Sequence, residues 1–180
     1  VVEIMGRYCG FLSLVGAISV GAESVNLHEN GVRLADLSTD VEEMARSFSA
    51  GRRFHLAIRN ENASQGYTTE FMCQLFAEES GGAYDVRPMV LGHLQQGGNP
   101  TPFDRIHATR LAAHCVDWLS SQLSAGTREW AFTGQVDGRL SAIPFTAMPD
   151  LVDPAFNRPR KQWWLDLQPI MEAVAVDPSH

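Results

Sequence analysis

Apolar residues follow two rhythms along this chain. Short runs at Val1–Met5, Ser24–His28, Phe54–Arg59 and Tyr84–Leu91 have the length and β-branched content of buried strands. Between them, Tyr8–Val20, Leu34–Ala50, Tyr67–Glu79 and Thr101–Leu123 carry apolar residues at helical spacing. The first helix is apolar all round, with Gly10, Gly16 and Ala17 among Phe11, Leu12, Leu14, Val15 and Ile18, which predicts a buried helix closely approached by a neighbour. The later helices show one-sided stripes: Leu37, Val41, Met44, Ala45 and Phe48; then Phe71, Met72, Leu75 and Phe76; then Ile106, Leu111, Ala112, Cys115, Leu119 and Leu123. Gly21, Gly51 and Gly81-Gly82 stop the first three, and Thr101-Pro102 starts the fourth.

Strand and helix thus alternate four times, which predicts an α/β fold with a mostly parallel sheet between helical layers. After residue 126 the pattern changes. Trp130–Val136 and Leu140–Phe145 flank Asp137-Gly138, a hairpin signal, and a terminal helix runs from Gln162-Trp163-Trp164 to about Val176. The expected organisation is an α/β lobe over 1–126 and a hairpin with a terminal helix over 127–180.

Composition narrows the function classes. An apolar fraction of 44% supports a sizeable core, while charged residues at 19% are fewer than an average surface carries, so part of the surface is expected to be covered by partner chains or by further chain. A net charge of −7 argues against nucleic acid and anionic membranes as partners, and no apolar run reaches the roughly 18 residues of a membrane span. Cys9, Cys73 and Cys115 lack metal-ligand spacing and read as buried free thiols of a reducing cytoplasm; no metal site is expected. The opening Val1-Val2-Glu3-Ile4, in mid-strand without an initiator methionine, leads us to expect a piece of a longer protein.

Chemistry concentrates in Leu91–Arg105, LGHLQQGGNPTPFDR, a polar stretch between a strand end and a helix start, where open α/β folds place ligands. His93 either caps the strand or donates to a phosphate or hydroxyl; Gln95 and Gln96 can both donate and accept. Two other strand ends share this character. At Met5-Gly6-Arg7, Gly6 allows close backbone approach, Arg7 adds a guanidinium, and the helix start just beyond offers backbone amides to an anion; the plain alternative is a tight turn beside a solvated arginine. Glu61, after Asn60, is either a surface acid or an acceptor for sugar hydroxyls. Arg87 shares strand parity with His93, which directs both to a sheet edge or an interface. Arg158 and Arg160 form a basic turn before the last helix. There is no Walker-type loop, no Gly-x-Gly-x-x-Gly and no aspartate cluster suited to magnesium.

In this order and spacing, Glu3-Ile4-Met5-Gly6-Arg7-Tyr8-Cys9-Gly10-Phe11-Leu12, then Leu91-Gly92-His93-Leu94-Gln95-Gln96-Gly97-Gly98, then Pro102-Phe103-Asp104-Arg105, resemble the ATP-dependent 6-phosphofructokinases, from Val1 to Met171. Eukaryotic members fuse a catalytic and a regulatory half. Arg59-Asn60-Glu61 with Tyr67-Thr68-Thr69, the pair Gln95-Gln96 and Gln162-Trp163-Trp164-Leu165 are similar to the regulatory half, since catalytic halves usually carry Ala-Glu-Gly and Gln-Arg at the first two places. The resemblance implies a three-layer α/β/α phosphofructokinase fold, the C-terminal part of the regulatory half, and an allosteric site for fructose 2,6-bisphosphate. Met5, Gly6 and Arg7 would line that site, with Glu61 on the sugar hydroxyls and His93, Leu94, Gln95 and Gln96 over the phosphate end. Arg87 would reach a ligand held by another subunit of a homo-oligomer, such as a tetramer, and Arg158 would complete the site. Regulatory halves often read Met-Gly-Gly where this chain has Met5-Gly6-Arg7, so the alternatives are fructose 6-phosphate bound as substrate through Arg7, a possible transition-state stabiliser, or a purely ligand-binding and assembly module. The resemblance also implies that ATP, Mg2+ and the catalytic base belong to a part of the protein upstream, so that this segment binds neither cofactor and is inactive by itself.

Overall fold

The computed structural model describes residues 1–175. Two compact units make up the chain: one holds Val1–Gln96 and the segment that begins at Lys161, the other Gly97–Arg160. This division departs from the expected boundary at 126/127. The long helix after Thr101 contacts the hairpin next to it in the chain, and the terminal helix returns to the first helix of the sheet unit. The end of the predicted terminal helix, Val176, lies outside the described residues.

In the sheet unit, β1 (Val2–Ile4), β2 (Ser24–Asn26), β3 (Ala57–Asn60) and β4 (Met89–Val90) form one parallel sheet in the order β2-β3-β1-β4. Helices α1 (Phe11–Val20), α2 (Leu34–Ser49) and α3 (Thr69–Glu79) connect successive strands. Alternation along the strands supplies two cores. Ile4 and Ile58 face Leu14 and Ala17 of α1, with Trp164 and Met171 from the chain's last segment. Ala57 faces the other way, onto Leu37 and Met44 of α2 and Met72 and Phe76 of α3. The three expected layers are present.

Differences from the sequence reading have local causes. Strand β4 is two residues long because Pro88 has no N–H for a ladder; upstream, Tyr84 stacks on Phe48 with ring centroids 4.4 Å apart instead of pairing. Helix α1 starts at Phe11, because Gly6–Gly10 forms a turn closed by the Cys9 N–H donating to the Gly6 carbonyl at 2.9 Å. The thiols are free, but only Cys73 is buried; Cys9 is half-buried and Cys115 exposed.

In the other unit, α4 (Pro102–Ala125) starts with a reciprocal cap: Asp104 accepts from the Thr101 N–H at 2.8 Å, and the Thr101 hydroxyl accepts from the Asp104 N–H at 3.3 Å. Its apolar stripe is uncovered in this chain, with Ile106 61% and Leu123 73% exposed. Strands β5 (Ala131–Val136) and β6 (Arg139–Pro144) pair antiparallel about Asp137-Gly138, whose φ of +49° and +79° suit the tight hairpin turn that Asp-Gly favours. A short helix α5 (Met148–Leu151) and the small pair β7 (Val152–Asp153) and β8 (Arg158–Pro159) come next. Back in the sheet unit, a 3-10 turn, Trp163–Leu167, leads into α6 (Gln168–Ala175). Among the described residues no helix is long and apolar enough to cross a membrane.

One buried acid ties this fold to pH. Asp40 of α2 is 8% exposed. Burial first, and the Glu43 carboxylate next, push its carboxyl up to about 7, against the opposing Ser24 hydroxyl. The folded state therefore keeps this proton where the unfolded chain, near 3.8, has lost it. Asp40 costs nothing below pH 4, and its cost grows until pH reaches about 7, to on the order of 4 kcal/mol. Asp40→Asn is expected to remove this part of the slope, read as the urea midpoint against pH between 4 and 7; an unchanged slope would refute it.

Candidate functional site

Adjacent parallel strands whose connections leave to opposite faces open a crevice at their carboxyl ends. Here β1 passes to α1 on one face, and its neighbour β3 passes to α3 on the other. Met5, Gly6 and Arg7 come directly after β1, Glu61 after β3, and a 3-10 helix, Gly92–Gln96, after the other neighbour of β1, β4. Three of the stretches singled out in the sequence therefore meet at one edge of the sheet.

Glu61 joins two of them. Its Oε1 accepts from the Gly6 N–H at 3.0 Å and the Arg7 N–H at 2.5 Å, while its own N–H donates to the Ile4 carbonyl at 3.0 Å. Its Oε2 has no hydrogen-bond partner among the described residues. Gly6 is required by space: a Cβ there would lie 2.5 Å from the Cys9 carbonyl oxygen and 3.0 Å from Asn60 Nδ2. Arg7 is exposed and holds φ +50°, a left-handed backbone that disfavours a side chain and that glycine adopts freely.

The backbone amides expected to be open to an anion are partly engaged. Besides Gly6 and Arg7, the Gly10 N–H donates to both carboxylate oxygens of Glu29, at 2.9 and 3.0 Å. Two carboxylates thus cap this turn, so an incoming anion must meet side chains and the amides that remain, and the turn is better suited to presenting an acceptor for hydroxyls.

Behind the turn lies Arg59, 2% exposed in the middle of the sheet. Its guanidinium donates to Glu3 Oε2 at 2.7 Å, to the Thr69 hydroxyl at 3.1 Å, and to the Ser64 and Tyr67 carbonyls at 3.0 and 3.2 Å. The Thr69 hydroxyl donates in turn to Glu3 Oε2. Glu3 and Arg59 stand at paired positions of β1 and β3. In the sequence, Arg59 and Glu3 stand out only as parts of family signatures, and Glu29 does not stand out at all. A usable signal was present, since opposite charges inside two apolar parallel strands demand each other as partners.

The segment after β4 separates the two glutamines. Gln95 Oε1 accepts from the Met5 N–H at 2.8 Å and its Nε2 donates to the Met5 carbonyl at 3.0 Å, so both the oxygen and the nitrogen of its amide are held by the β1 backbone. His93, Leu94 and Gln96 are exposed, and the Gln96 side chain makes no hydrogen bond among the described residues. The parity argument linking Arg87 to His93 does not apply: Arg87 precedes the strand and His93 lies in the 3-10 helix. The Arg87 carbonyl accepts from the Val1 nitrogen at 2.9 Å, at the amino end of β1, so within one chain Arg87 stands at the other end of the sheet from Glu61. Arg158 belongs to the other unit, where its guanidinium carbon lies 4.7 Å from the Phe156 ring centroid.

A cleft of about 590 Å³, lined among others by Glu23, Asp40, Arg52, His55 and Glu172, contains none of the candidate residues. Among the described residues, no group of three or more His, Cys, Asp or Glu is arranged to hold a metal ion.

Two stability results are expected. Gly6→Ala should destabilise and Arg7→Gly should stabilise by up to about 1 kcal/mol, opposite signs at adjacent positions, read as shifts of the denaturant midpoint at constant slope. Arg59→Met should cost about 3–5 kcal/mol by the same measure, because it strands Glu3 and two loop carbonyls; a loss below about 1 kcal/mol would mean that the network is not stabilising.

The phosphofructokinase family model matches residues 1–119, which hold every candidate residue except Arg158. The muscle-type ATP-dependent 6-phosphofructokinase of Mus musculus is 36% identical over 185 residues, covering 97% of this chain and 24% of that protein. The ATP-dependent 6-phosphofructokinase of Dictyostelium discoideum is 38% identical over 180 residues, covering 99% and 22%. The chain therefore spans about a quarter of the length of the curated relatives it matches. Among solved structures, phosphofructokinase from Saccharomyces cerevisiae shares the fold with a TM-score of 0.90 at 24% identity, over 97% of this chain and 24% of that one. Pichia pastoris phosphofructokinase in the T-state has a TM-score of 0.85 at 26% identity, over 97% and 22%.

Proposed function

The chain belongs to the phosphofructokinase family, and from that premise we propose that it is part of a cytoplasmic ATP-dependent 6-phosphofructokinase, in which it forms most of an allosteric site for fructose 2,6-bisphosphate. The whole enzyme transfers the γ-phosphoryl group of ATP to the 1-hydroxyl of fructose 6-phosphate. These residues supply no phosphate loop and no metal-ligand group among those described, so ATP, magnesium and the catalytic base are assigned to the remainder of the full-length protein. The segment is the C-terminal part of the regulatory half, with no turnover of its own.

The observation that carries the reading is the Glu61 carboxylate, which is held by two backbone amides on Oε1 and keeps Oε2 for a ligand. A carboxylate fixed in this way at a sheet switch point suits the hydroxyls of a furanose ring. Met5, Gly6 and Arg7 line the sugar, and His93, Leu94 and Gln96 approach the phosphate end. Gln96 is neutral where catalytic halves carry arginine, which favours an effector over a substrate that must be stabilised in flight. Arg87, exposed at the far end of the sheet, serves a ligand held by a second subunit of the homo-oligomer.

The test is activation of the full-length enzyme by fructose 2,6-bisphosphate. Glu61→Gln keeps an acceptor for the turn but removes the charge, and Arg87→Ala removes the reaching cation. Each is expected to raise the half-activating concentration at least about tenfold, with kcat at saturating fructose 6-phosphate unchanged. Unchanged activation curves in both variants would refute the effector assignment. A raised KM for fructose 6-phosphate with normal activation would make the site a substrate site.

A further inference from the structure

We infer that Gln95 is a positioning residue and not a ligand group: its side-chain amide forms the third rung of the β1–β4 ladder and fixes the segment bearing His93 and Gln96 against the Met5-Gly6-Arg7 turn. This rests on the reading that the turn and the segment line one fructose-phosphate site.

The ladder shows the substitution of side chain for backbone directly. On the side of β1 that faces β4, the Val1 carbonyl accepts from the Met89 N–H at 2.8 Å and the Glu3 carbonyl from the Leu91 N–H at 3.1 Å. The next carbonyl on that side is that of Met5, and its donor is Gln95 Nε2 at 3.0 Å. The Met5 N–H is satisfied by the other end of the same amide, at 2.8 Å. The even side of β1 serves β3, where the Ile4 carbonyl accepts from the Glu61 N–H.

Backbone cannot make this third rung. The chain leaves the sheet at Gly92, with φ +52°, and enters the 3-10 helix, whose Leu94 N–H donates to the Leu91 carbonyl at 3.1 Å. A glutamine amide presents its oxygen and one N–H side by side in a plane, as a strand's backbone does, and with them it closes a two-bond ring with the Met5 backbone. Met, of similar length, lacks both functions; Asn is one methylene shorter. The adjacent glutamines thus divide the work. Gln95 sets where the segment sits, and Gln96 is left to meet the ligand.

The experiment measures fructose 2,6-bisphosphate binding to the full-length enzyme by calorimetry at about pH 8 and about pH 5.5, together with hydrogen exchange of the β1 turn. Gln95→Met is expected to weaken binding about tenfold at both pH values and to speed exchange at Met5, through loss of two hydrogen bonds. Gln95→Glu should behave the same at the higher pH, where its carboxylate accepts from the Met5 N–H but sets a second acceptor against the Met5 carbonyl. That repulsion raises the introduced acid's pKa, so at the lower pH it gains an O–H donor and should return most of the way to wild-type affinity. A merely steric role would not produce that pH-dependent rescue. The inference is overturned if Gln95→Glu follows Gln95→Met at both pH values, or if both bind as wild type. If both bind as wild type while Glu61→Ala does not bind, the site reading stands without the positioning role. If the wild-type enzyme binds no bisphosphate, the site reading falls and this inference falls with it.

Discussion

The guanidinium of Arg59 is the constraint on which the rest of this structure depends. It sits almost wholly buried in a parallel sheet, where an unpaired charge would cost several kcal/mol. Its donors, arranged in a rigid plane, meet Glu3, Thr69, Ser64 and Tyr67 together, more acceptors than the N–H groups of a lysine could serve. Glu3 answers it from the neighbouring strand, and the loop after β3 folds back so that Ser64, Tyr67 and Thr69 answer it from the helix side. That wrapping sets the course of the chain immediately beyond β3, where Glu61 stands. An interaction inside the sheet therefore determines the geometry at its edge.

Apolar periodicity and turn chemistry were enough to place the strand–helix alternation, the hairpin turn and the cap at Thr101, because each rests on local chemistry. Glu61 and the Met5-Gly6-Arg7 turn stood out because polar and glycine residues at strand ends are visible in one dimension. What the chain did not disclose was pairing between distant segments. Nothing in the letters Gln95-Gln96 says which amide turns inward, and nothing about Glu29 points to Gly10. Pro88 did carry a signal: a residue without an N–H inside an expected strand should have shortened β4 to the two residues observed. The unit boundary moved for a similar reason, since α4 packs with the β5–β6 hairpin, and the terminal helix α6 packs with α1 from near the start of the chain.

Surface composition and structure agree on a further point. Phe103, Ile106, Leu123 and Trp130 are each more than half exposed. Charged residues make up only 19% of the chain, fewer than an average surface carries, so composition and exposure both describe a surface poorly suited to holding water.

The double cap on Glu61 Oε1 has a consequence for association kinetics and entropy. A free glutamate side chain rotates among many conformers, and a ligand that binds it must freeze that motion at the moment of contact, at about 0.5–1.5 kcal/mol per side chain. Here two backbone amides have already immobilised the carboxylate during folding. A hydroxyl arriving at Oε2 meets an acceptor that is preorganised, so discrimination there depends on whether the ligand's own shape matches a fixed direction, with little scope for the protein to adapt to a poor fit.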